Sequence, residues 1–265
     1  MNVRTALKNI ARPIYNNSFG KYLVDNTLRY FWYNQLLRKH FTNNFTSGYL
    51  AVGEQNKYCV SPEWITLDIS NADFNYDIRE YEPFPFVDDS FLIIYSSHMV
   101  EHLPYEICSY FFQEAYRLLK NDGILRVEAP DAEKLVEEYK KGNEYYFLRM
   151  LNNEELSRYG KSLHLHDVMV GQLSCYIENG VHVPVRIPKN EVDEKIETVS
   201  AAEFSDWCIS FQTDEQRESG GHINTIYFEK LVQALKFAGF TKISQVLAGE
   251  SSHSVMKKKL PGIER

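Results

Sequence analysis

Cysteine is scarce in this 265-residue sequence, and long apolar runs are absent from it. The four cysteines are scattered without C-x-x-C spacing, which argues against a disulfide framework and against a cysteine-ligated zinc site. No apolar run approaches the roughly 20 residues of a membrane span. Charged residues interrupt the N-terminal stretch, where a signal peptide would need an apolar segment. We therefore expect a cytoplasmic protein with reduced thiols and no membrane span.

Basic runs and a dinucleotide-binding glycine motif are also missing. The net charge is −7, so we expect no nucleic-acid partner. No G-x-G-x-x-G follows the first predicted strand, which argues against an NAD-binding enzyme. The apolar content of 44%, in contrast, is ample for the core of one large α/β domain with insertions, or of two domains.

The clearest structural pattern lies within residues 82–131. Phe91–Tyr95 is a short apolar run bounded by polar residues, which is typical of a strand buried on both faces of a parallel sheet. A helix is predicted after it from apolar residues at spacings of three and four: Ile107, Phe111, Ala115, Leu118 and Leu119. Asn121-Asp122-Gly123 is expected to end that helix, and Ile124–Ala129 to form a second strand. The segment thus predicts a β-α-β crossover whose strands end where open α/β sheets bind ligands.

Four short motifs run through this segment in the order P-F-x-x-D-S-F, Y-S-S-H-x-x-E-H-L, Y-R-L-L-K-x-D-G-I-L-R and A-P-D. Together they resemble the class I S-adenosylmethionine-dependent methyltransferases of the type 11-like group, in the branch associated with sugar and surface-polysaccharide synthesis. The resemblance covers residues 48–131 well and residues 220–250 loosely. It implies an α/β fold with a Rossmann-like sheet and helices on both faces, S-adenosyl-L-methionine as cofactor, and a small-molecule methyl acceptor.

The other segments are assigned around that core. Residues 48–132 and 220–265 are predicted to form the S-adenosylmethionine-binding α/β core, with residues 133–219 as a substrate-recognition insertion before the last helix. We interpret residues 1–47 as an N-terminal helical cap on the sheet. The alternative is a lid, or an arm that joins two copies in a homodimer.

The regular pattern is lost after Asp131 and returns near the C-terminus. Residues 161–219 show neither helical periodicity nor strand alternation, and a long irregular stretch of this kind is usually functional or flexible. Apolar spacing predicts a last helix that ends at Gly239. Lys242–Leu247 is predicted as a last parallel strand.

The cofactor contacts follow from the resemblance and from the chemistry of the strand ends. The first strand ends in the turn Gly53-Glu54-Gln55, where the family usually shows G-x-G and this chain lacks the second glycine. Asp68 follows the second strand, where a carboxylate can accept both ribose hydroxyls of a nucleoside; the alternative is that it caps the next turn. Asp77 is expected to accept from the adenine amino group, or else to be a solvated loop acid. The full set implied is Gly53, Glu54, Gln55, Asp68, Ile69, Asp77, Ile78, Ser96, Ser97 and His98.

Three histidines are candidates for the catalytic base. Methyl transfer to a hydroxyl requires loss of its proton, and a neutral imidazole is suited to that step near neutral pH. His98 and His102 follow the strand at Phe91–Tyr95, and His102 could instead anchor its turn through a backbone hydrogen bond. His222 follows Gly220-Gly221 just before the last helix, where a loop can swing over the acceptor.

Three further residues are candidates for acceptor binding. His164 and His166 are predicted on one face of a strand beside Asp167. Asp131 could orient an acceptor hydroxyl, or it could cap the helix that starts at Ala132. Two histidines and one aspartate make a small ligand set, so we predict no metal.

The sequence therefore favours an S-adenosylmethionine-dependent O-methyltransferase that acts on a sugar or nucleotide-sugar in capsule or surface-polysaccharide biosynthesis. The alternative is a catalytically silent methyltransferase-like module that binds a partner, since the glycine turn is incomplete. The high aromatic content, at 14%, is compatible with a pocket that stacks on sugar and adenine rings.

Overall fold

A computed structural model describes residues 48–55, 64–151, 164–247 and 250–251. The predicted N-terminal cap at residues 1–47 lies outside these residues. The chain divides into two compact units: the described residues of Met1–Ser97, Phe111–Val127 and Val246–Glu264 belong to the first, and those of His98–Tyr110 and Glu128–Gln245 to the second. The domain boundaries inferred from the sequence stay a prediction.

The first unit contains a five-stranded sheet with the order β3-β2-β1-β4-β5. β1 pairs in parallel with both β2 and β4, and β2 pairs in parallel with β3. The strands are β1 (Tyr49–Val52), β2 (Trp64–Asp68), β3 (Phe74–Asn75), β4 (Phe91–Ser97) and β5 (Leu119–Glu128). The predicted α/β fold with a Rossmann-like sheet is confirmed: the sheet is mostly parallel, with helices around it.

Burial on both faces explains why the central strands are continuous apolar runs. Leu50, Ile65, Ile93 and Ile94 are each no more than 1% exposed. At about 25 cal/mol per Å² of apolar surface, side chains of this size each contribute roughly 2 kcal/mol when buried. The buried side chains at its centre therefore stabilise the sheet, and the polar residues at its strand ends are available for other roles.

Helix α1 (Tyr105–Leu118) connects β4 to β5 as predicted. It ends earlier than expected, because β5 starts at Leu119 and already includes Asn121-Asp122-Gly123. Asp122 adopts a left-handed φ of 63°, so this turn lies within the span of the strand and not at a helix end. The predicted second strand is thus correct in position but five residues too short at its start.

The predicted strand at Lys242–Leu247 is wrong. Residues 241–247 adopt no regular structure, and Val246 and Leu247 are 47% and 73% exposed. A strand of a parallel sheet is stabilised by burying its apolar side chains, and these residues bury too little.

The second unit is built from helices and one hairpin. Its strands β6 (Cys175–Glu178) and β7 (Val181–Pro184) pair antiparallel. Its helices are α2 (Ala132–Lys140), α3 (Glu144–Leu148), α4 (Leu165–Leu173), α5 (Lys189–Thr198), α6 (Ala201–Ser210), α7 (Asp214–Glu218) and α8 (Phe228–Ala238). The expectation of an irregular stretch at 161–219 is therefore wrong for its described part.

The regular secondary structure of this segment is explained by an apolar core of its own. Leu135, Phe147, Met169, Val192 and Phe204 are fully buried in one cluster formed by α2 to α6. Each helix is short, so its apolar stripe is too brief to show a period in the sequence. None of the helices in the described part of the chain combines the length and the apolar character needed to cross a membrane.

Candidate functional site

The carboxyl ends of β1, β2 and β4 meet at one edge of the sheet. Val52 is in register with Leu67 on one side and with Ser96 on the other. The residues that follow these positions are Gly53, Asp68 and Ser97, so three predicted cofactor residues are neighbours at this edge. Such an edge is where open α/β sheets bind their ligands.

Gly53 forms a tight turn at the end of β1. Its φ of 78° lies in the left-handed region, which glycine adopts without the clash that a side chain would cause. Its backbone N–H donates to the Leu67 carbonyl oxygen over 2.8 Å. Glu54, at the next position, is only 8% exposed. The turn therefore has the backbone shape expected, with Glu54 and Gln55 where the sequence departs from G-x-G.

Asp68 is the last residue of β2 and is partly buried. Its Oδ1 accepts from the Ser70 backbone N–H over 3.3 Å, so the turn-capping interaction is present. Burial raises the pKa of this carboxyl above its ordinary value, against the lowering effect of the backbone N–H groups of Ser70 and Ile69. A carboxylate has about four lone-pair sites, so this cap does not exhaust its capacity to accept. Ile69 beside it is 57% exposed.

The end of β4 carries a fully buried serine hydroxyl. Ser96 is fully buried, and its Oγ has no hydrogen-bond partner among the described residues. Buried polar atoms are nearly always hydrogen-bonded, so an orphaned hydroxyl indicates a missing partner such as a ligand or a water.

Asp77 is already engaged within its own loop. Its carboxylate accepts from the Arg79 side chain at Nε over 2.9 Å and at a terminal guanidinium nitrogen over 2.7 Å. It also caps the 3₁₀ helix Ile78–Glu80 by accepting from the Arg79 backbone N–H. The hydrogen bond from the Arg79 side chain lowers the pKa of the Asp77 carboxyl, and burial opposes this only in part. Its adenine-binding role stays a prediction.

The P-F-x-x-D-S-F segment is fastened to helix α1 by a charged network that sequence reasoning missed. Arg117 donates to both oxygens of Glu114, over 2.8 and 2.6 Å, and to Asp88 over 2.7 Å. It also donates to the carbonyl oxygens of Phe86 and Phe84. The Phe84 N–H in turn donates to Glu114 over 2.7 Å. The motif therefore has a structural role: it positions the loop that precedes β4.

In the second unit, His98 and Glu101 form an imidazole–carboxylate pair. His98 follows Ser97 in the chain, has a left-handed φ of 49°, and donates its backbone N–H to the Glu128 carbonyl. Its Nδ1 lies 3.0 Å from Oε1 of Glu101. A carboxylate can only accept, so Nδ1 carries the proton and Nε2 keeps a lone pair in the neutral ring. The side chain of His98 is 33% exposed.

Glu101 is a residue that sequence reasoning missed, although it adjoins His102 in the E-H-L motif. It is 2% exposed, and its Oε2 has no hydrogen-bond partner among the described residues. Burial on its own would raise the pKa of this carboxyl, but the His98 hydrogen bond and the nearby His222 and His102 rings hold it below its ordinary value.

His102 and His222 are held side by side. Nδ1 of His102 lies 2.9 Å from the Gly220 carbonyl oxygen, and Nδ1 of His222 lies 2.8 Å from the Gln172 carbonyl oxygen. Their ring centroids are 4.7 Å apart. The backbone hydrogen bond considered for His102 is present, but it reaches a distant loop and not its own turn. Burial and the neighbouring His102 lower the pKa of His222 to about 4.

The segment from Gly221 to Asn224 is held by backbone contacts within its unit, and a movement over the acceptor stays a prediction. Ile223 and Asn224 both donate their backbone N–H to the Glu101 carbonyl. A Cβ on Gly221 would lie 2.6 Å from the Cys175 carbonyl carbon. His222 itself forms a β-bridge with Cys175.

His164 and His166 lie at the start of helix α4, so the predicted strand there is wrong. His164 is the N-cap residue, and its ring stacks on that of His166 at a centroid distance of 5.5 Å. Gln172, which binds His222, lies near the other end of α4, about 10 Å along the axis at 1.5 Å per residue. These two histidines are therefore separate from the His102–His222 pair.

Asp131 caps helix α2, which is the alternative considered from the sequence. Its Oδ1 accepts from the backbone N–H groups of Glu133 and Lys134, and its Oδ2 accepts from the Gln245 side chain over 3.1 Å. An N-cap of this type contributes about 1 kcal/mol to stability. Its role in acceptor binding stays a prediction.

Comparison with protein families gives a match over part of the chain. Residues 51–127, from β1 into β5, match the model described as a methyltransferase domain. A search of the curated proteins found no match.

Proposed function

We propose that the protein is an S-adenosylmethionine-dependent methyltransferase that O-methylates a sugar or nucleotide-sugar, on the premise that residues 51–127 match a methyltransferase domain. The cofactor is S-adenosyl-L-methionine, which supplies an electrophilic methyl group. The observation that carries the proposal is the parallel register that brings Gly53, Asp68 and Ser97 together at the ligand-binding edge of the matched domain. The sugar acceptor, and its place in surface-polysaccharide synthesis, are supported by the likeness of the four sequence motifs.

The residues at the strand ends fit an adenosyl ligand. Gly53 lets the backbone approach the ligand closely, and Asp68 is a partly buried carboxylate suited to ribose hydroxyls. The orphaned Ser96 hydroxyl supports a ligand atom at the end of β4. We assign the remaining predicted contacts to the same ligand: Glu54, Gln55, Ile69, Asp77, Ile78, Ser97 and His98.

His98 is the best-supported base. Glu101 fixes its Nδ1–H, which leaves Nε2 to take a proton from an acceptor hydroxyl. His98 is also more exposed than the buried His222, and a base has to reach its substrate. His102 and His222 remain the other candidates. Asp131, His164 and His166 remain proposed acceptor contacts.

Methyl transfer from a sulfonium is an in-line displacement, so most of the catalysis comes from positioning the acceptor oxygen. We assign this positioning to residues 133–219, which build a core of their own in the described part of that range. A homodimer stays a prediction.

The test is a screen of nucleotide-sugars for methyl transfer, with wild type and His98→Gln compared on the best acceptor. General-base catalysis contributes about 10²–10⁴-fold, so we expect kcat to fall by at least a hundredfold in His98→Gln. Affinity for S-adenosylhomocysteine should change less than tenfold. Normal turnover in this variant would move the role of base to His102 or His222.

A silent binding module is the second candidate, because Glu54 and Gln55 occupy the positions after Gly53. It predicts no cofactor binding and no transfer to any acceptor in the panel.

A further inference from the structure

The second unit contains a cluster of metal-ligating side chains, one of which, Glu101, also orients the proposed base His98. Glu101, His102 and His222 each offer one ligand atom, and these atoms all lie within 4.8 Å of one another. We propose that Glu101, His102 and His222 bind one divalent transition-metal ion of the zinc class. The sequence led us to predict no metal, because the ligand set considered there was His164, His166 and Asp167.

The hydrogen bonds of both histidines are those of metal ligands. Each Nδ1 lies against a backbone carbonyl oxygen, at Gly220 for His102 and at Gln172 for His222. A carbonyl only accepts, so each Nδ1 carries the proton and each Nε2 keeps its lone pair. Metal-binding histidines almost always donate their other ring N–H to a carbonyl or carboxylate in this way, which fixes the ring for the ion.

Glu101 supplies the negative charge and an unused oxygen. Its Oε1 accepts from His98, while Oε2 is buried with no hydrogen-bond partner among the described residues. Leaving a buried carboxylate oxygen unpaired is unfavourable, and an ion bound to Oε2 removes that penalty. A ligating carboxylate is itself normally hydrogen-bonded, and His98 meets that condition.

The donor set selects the kind of ion. Two imidazoles and one carboxylate, with a further position open, suit zinc and its neighbours, whereas Mg²⁺ prefers an all-oxygen site. In a tetrahedral site, donors bonded at about 2.1 Å lie about 3.4 Å apart, so closing the side chains by up to about 1.4 Å completes the site.

A second group shares His222 and provides the matched control. Cys175 and His182 also have ligand atoms within 4.8 Å of one from His222. These two side chains contact each other, with Sγ 3.3 Å from Nδ1, and His182 is exposed. Cys175 is buried, but the exposed His182 lacks the buried setting of Glu101 and His222, so we exclude this pair from the ion.

The test uses the full-length protein stripped of metal with a chelator and titrated with Zn²⁺, Co²⁺ and Mg²⁺. We expect one Zn²⁺ per chain by calorimetry, ligand-field absorption bands on adding Co²⁺, and Mg²⁺ affinity at least a hundredfold lower. Glu101→Gln and His222→Gln should each weaken Zn²⁺ binding at least tenfold. His182→Gln and Glu106→Gln, which alter exposed side chains, should change it less than threefold.

Three results would overturn the assignment. They are the absence of Zn²⁺ binding in the wild type, equal binding in Glu101→Gln, and a loss in His182→Gln as large as that in His222→Gln. The wild-type titrations keep the test decisive if a variant does not fold. None of these readouts depends on methyl transfer, so failure of the metal site and failure of the proposed function are distinguishable.

Discussion

Asp68 carries the most specific prediction at the scale of single residues. Binding to ribose hydroxyls requires its carboxylate form, and Asp68→Ala should weaken S-adenosylhomocysteine binding at least tenfold with the fold intact. Two hydrogen bonds to a charged group, each contributing about 1.5–3 kcal/mol, would account for that loss or more. Calorimetric titration measures the affinity, and circular dichroism checks the fold. Unchanged affinity would remove Asp68 from the site.

The same carboxyl predicts a pH dependence with a defined sign. Burial raises the pKa of Asp68, so it is protonated at a higher pH than an exposed aspartate, whose pKa is about 3.9. Cofactor affinity should be constant well above the raised pKa and should fall as the pH drops through it. Asp68→Asn should remove that decline. A wild-type affinity that rises on acidification would contradict the assignment.

Gly221 is predicted to be the least replaceable glycine near His222. A Cβ there would overlap the backbone of Cys175 and Tyr176, so Gly221→Ala should destabilise the protein by about 3 kcal/mol, the upper range for overpacking. Gly142→Ala is the control. Gly142 has a φ of 63° but nothing within 4 Å of its Cβ position, so only about 1 kcal/mol of backbone strain is expected. Urea denaturation compares the two; equal losses would show that His222 is not held as described.

At this scale, the sequence could identify the histidines but not their partners. His98, His102 and His222 stand out because neutral imidazoles suit base chemistry. Glu101 was missed because a carboxylate in a helical turn looks solvated until its burial is known. The contact of His102 with Gly220 joins residues 118 positions apart, and no local pattern indicates such a pair.

At the scale of secondary-structure elements, the Arg117 network predicts how the loop before β4 is held. Arg117→Met would leave the buried Glu114 carboxylate without its guanidinium, and we expect a loss of about 3 kcal/mol in the free energy of unfolding. Lys140→Met is the control, since Lys140 on α2 makes an exposed ion pair with Glu197, and such pairs contribute little. Denaturant titration of both variants is the measurement. A loss no larger than that of the control would mean that the network does not hold the loop.

Elements with long apolar runs were predictable, and short ones were not. β4 and α1 were recognised because their buried positions repeat over many residues. The hairpin of β6 and β7 was missed, although Asn179-Gly180 is the strongest short hairpin signal; both residues adopt the left-handed φ that such turns require. The alternation of His164 and His166 suggested a strand, but a helix start shows the same spacing over three residues.

At the scale of the whole molecule, the residues with proposed chemical roles are distributed over two compact units. The first unit holds the sheet matched by the methyltransferase family, with most of the proposed cofactor residues at its strand ends. The second unit holds His98, Glu101, His102 and His222. The sheet could be predicted from the sequence, because its pattern resembles a known family. The core within residues 133–219 could not, because it is built from contacts between short helices.

The central claim is that the strand ends of the sheet bind an adenosyl ligand. Calorimetric titration of the wild-type protein with S-adenosylhomocysteine tests it most directly, with NADH as the comparison ligand. The account predicts one site per chain with micromolar affinity for S-adenosylhomocysteine and no binding of NADH. No binding of S-adenosylhomocysteine, or a preference for NADH, would contradict it.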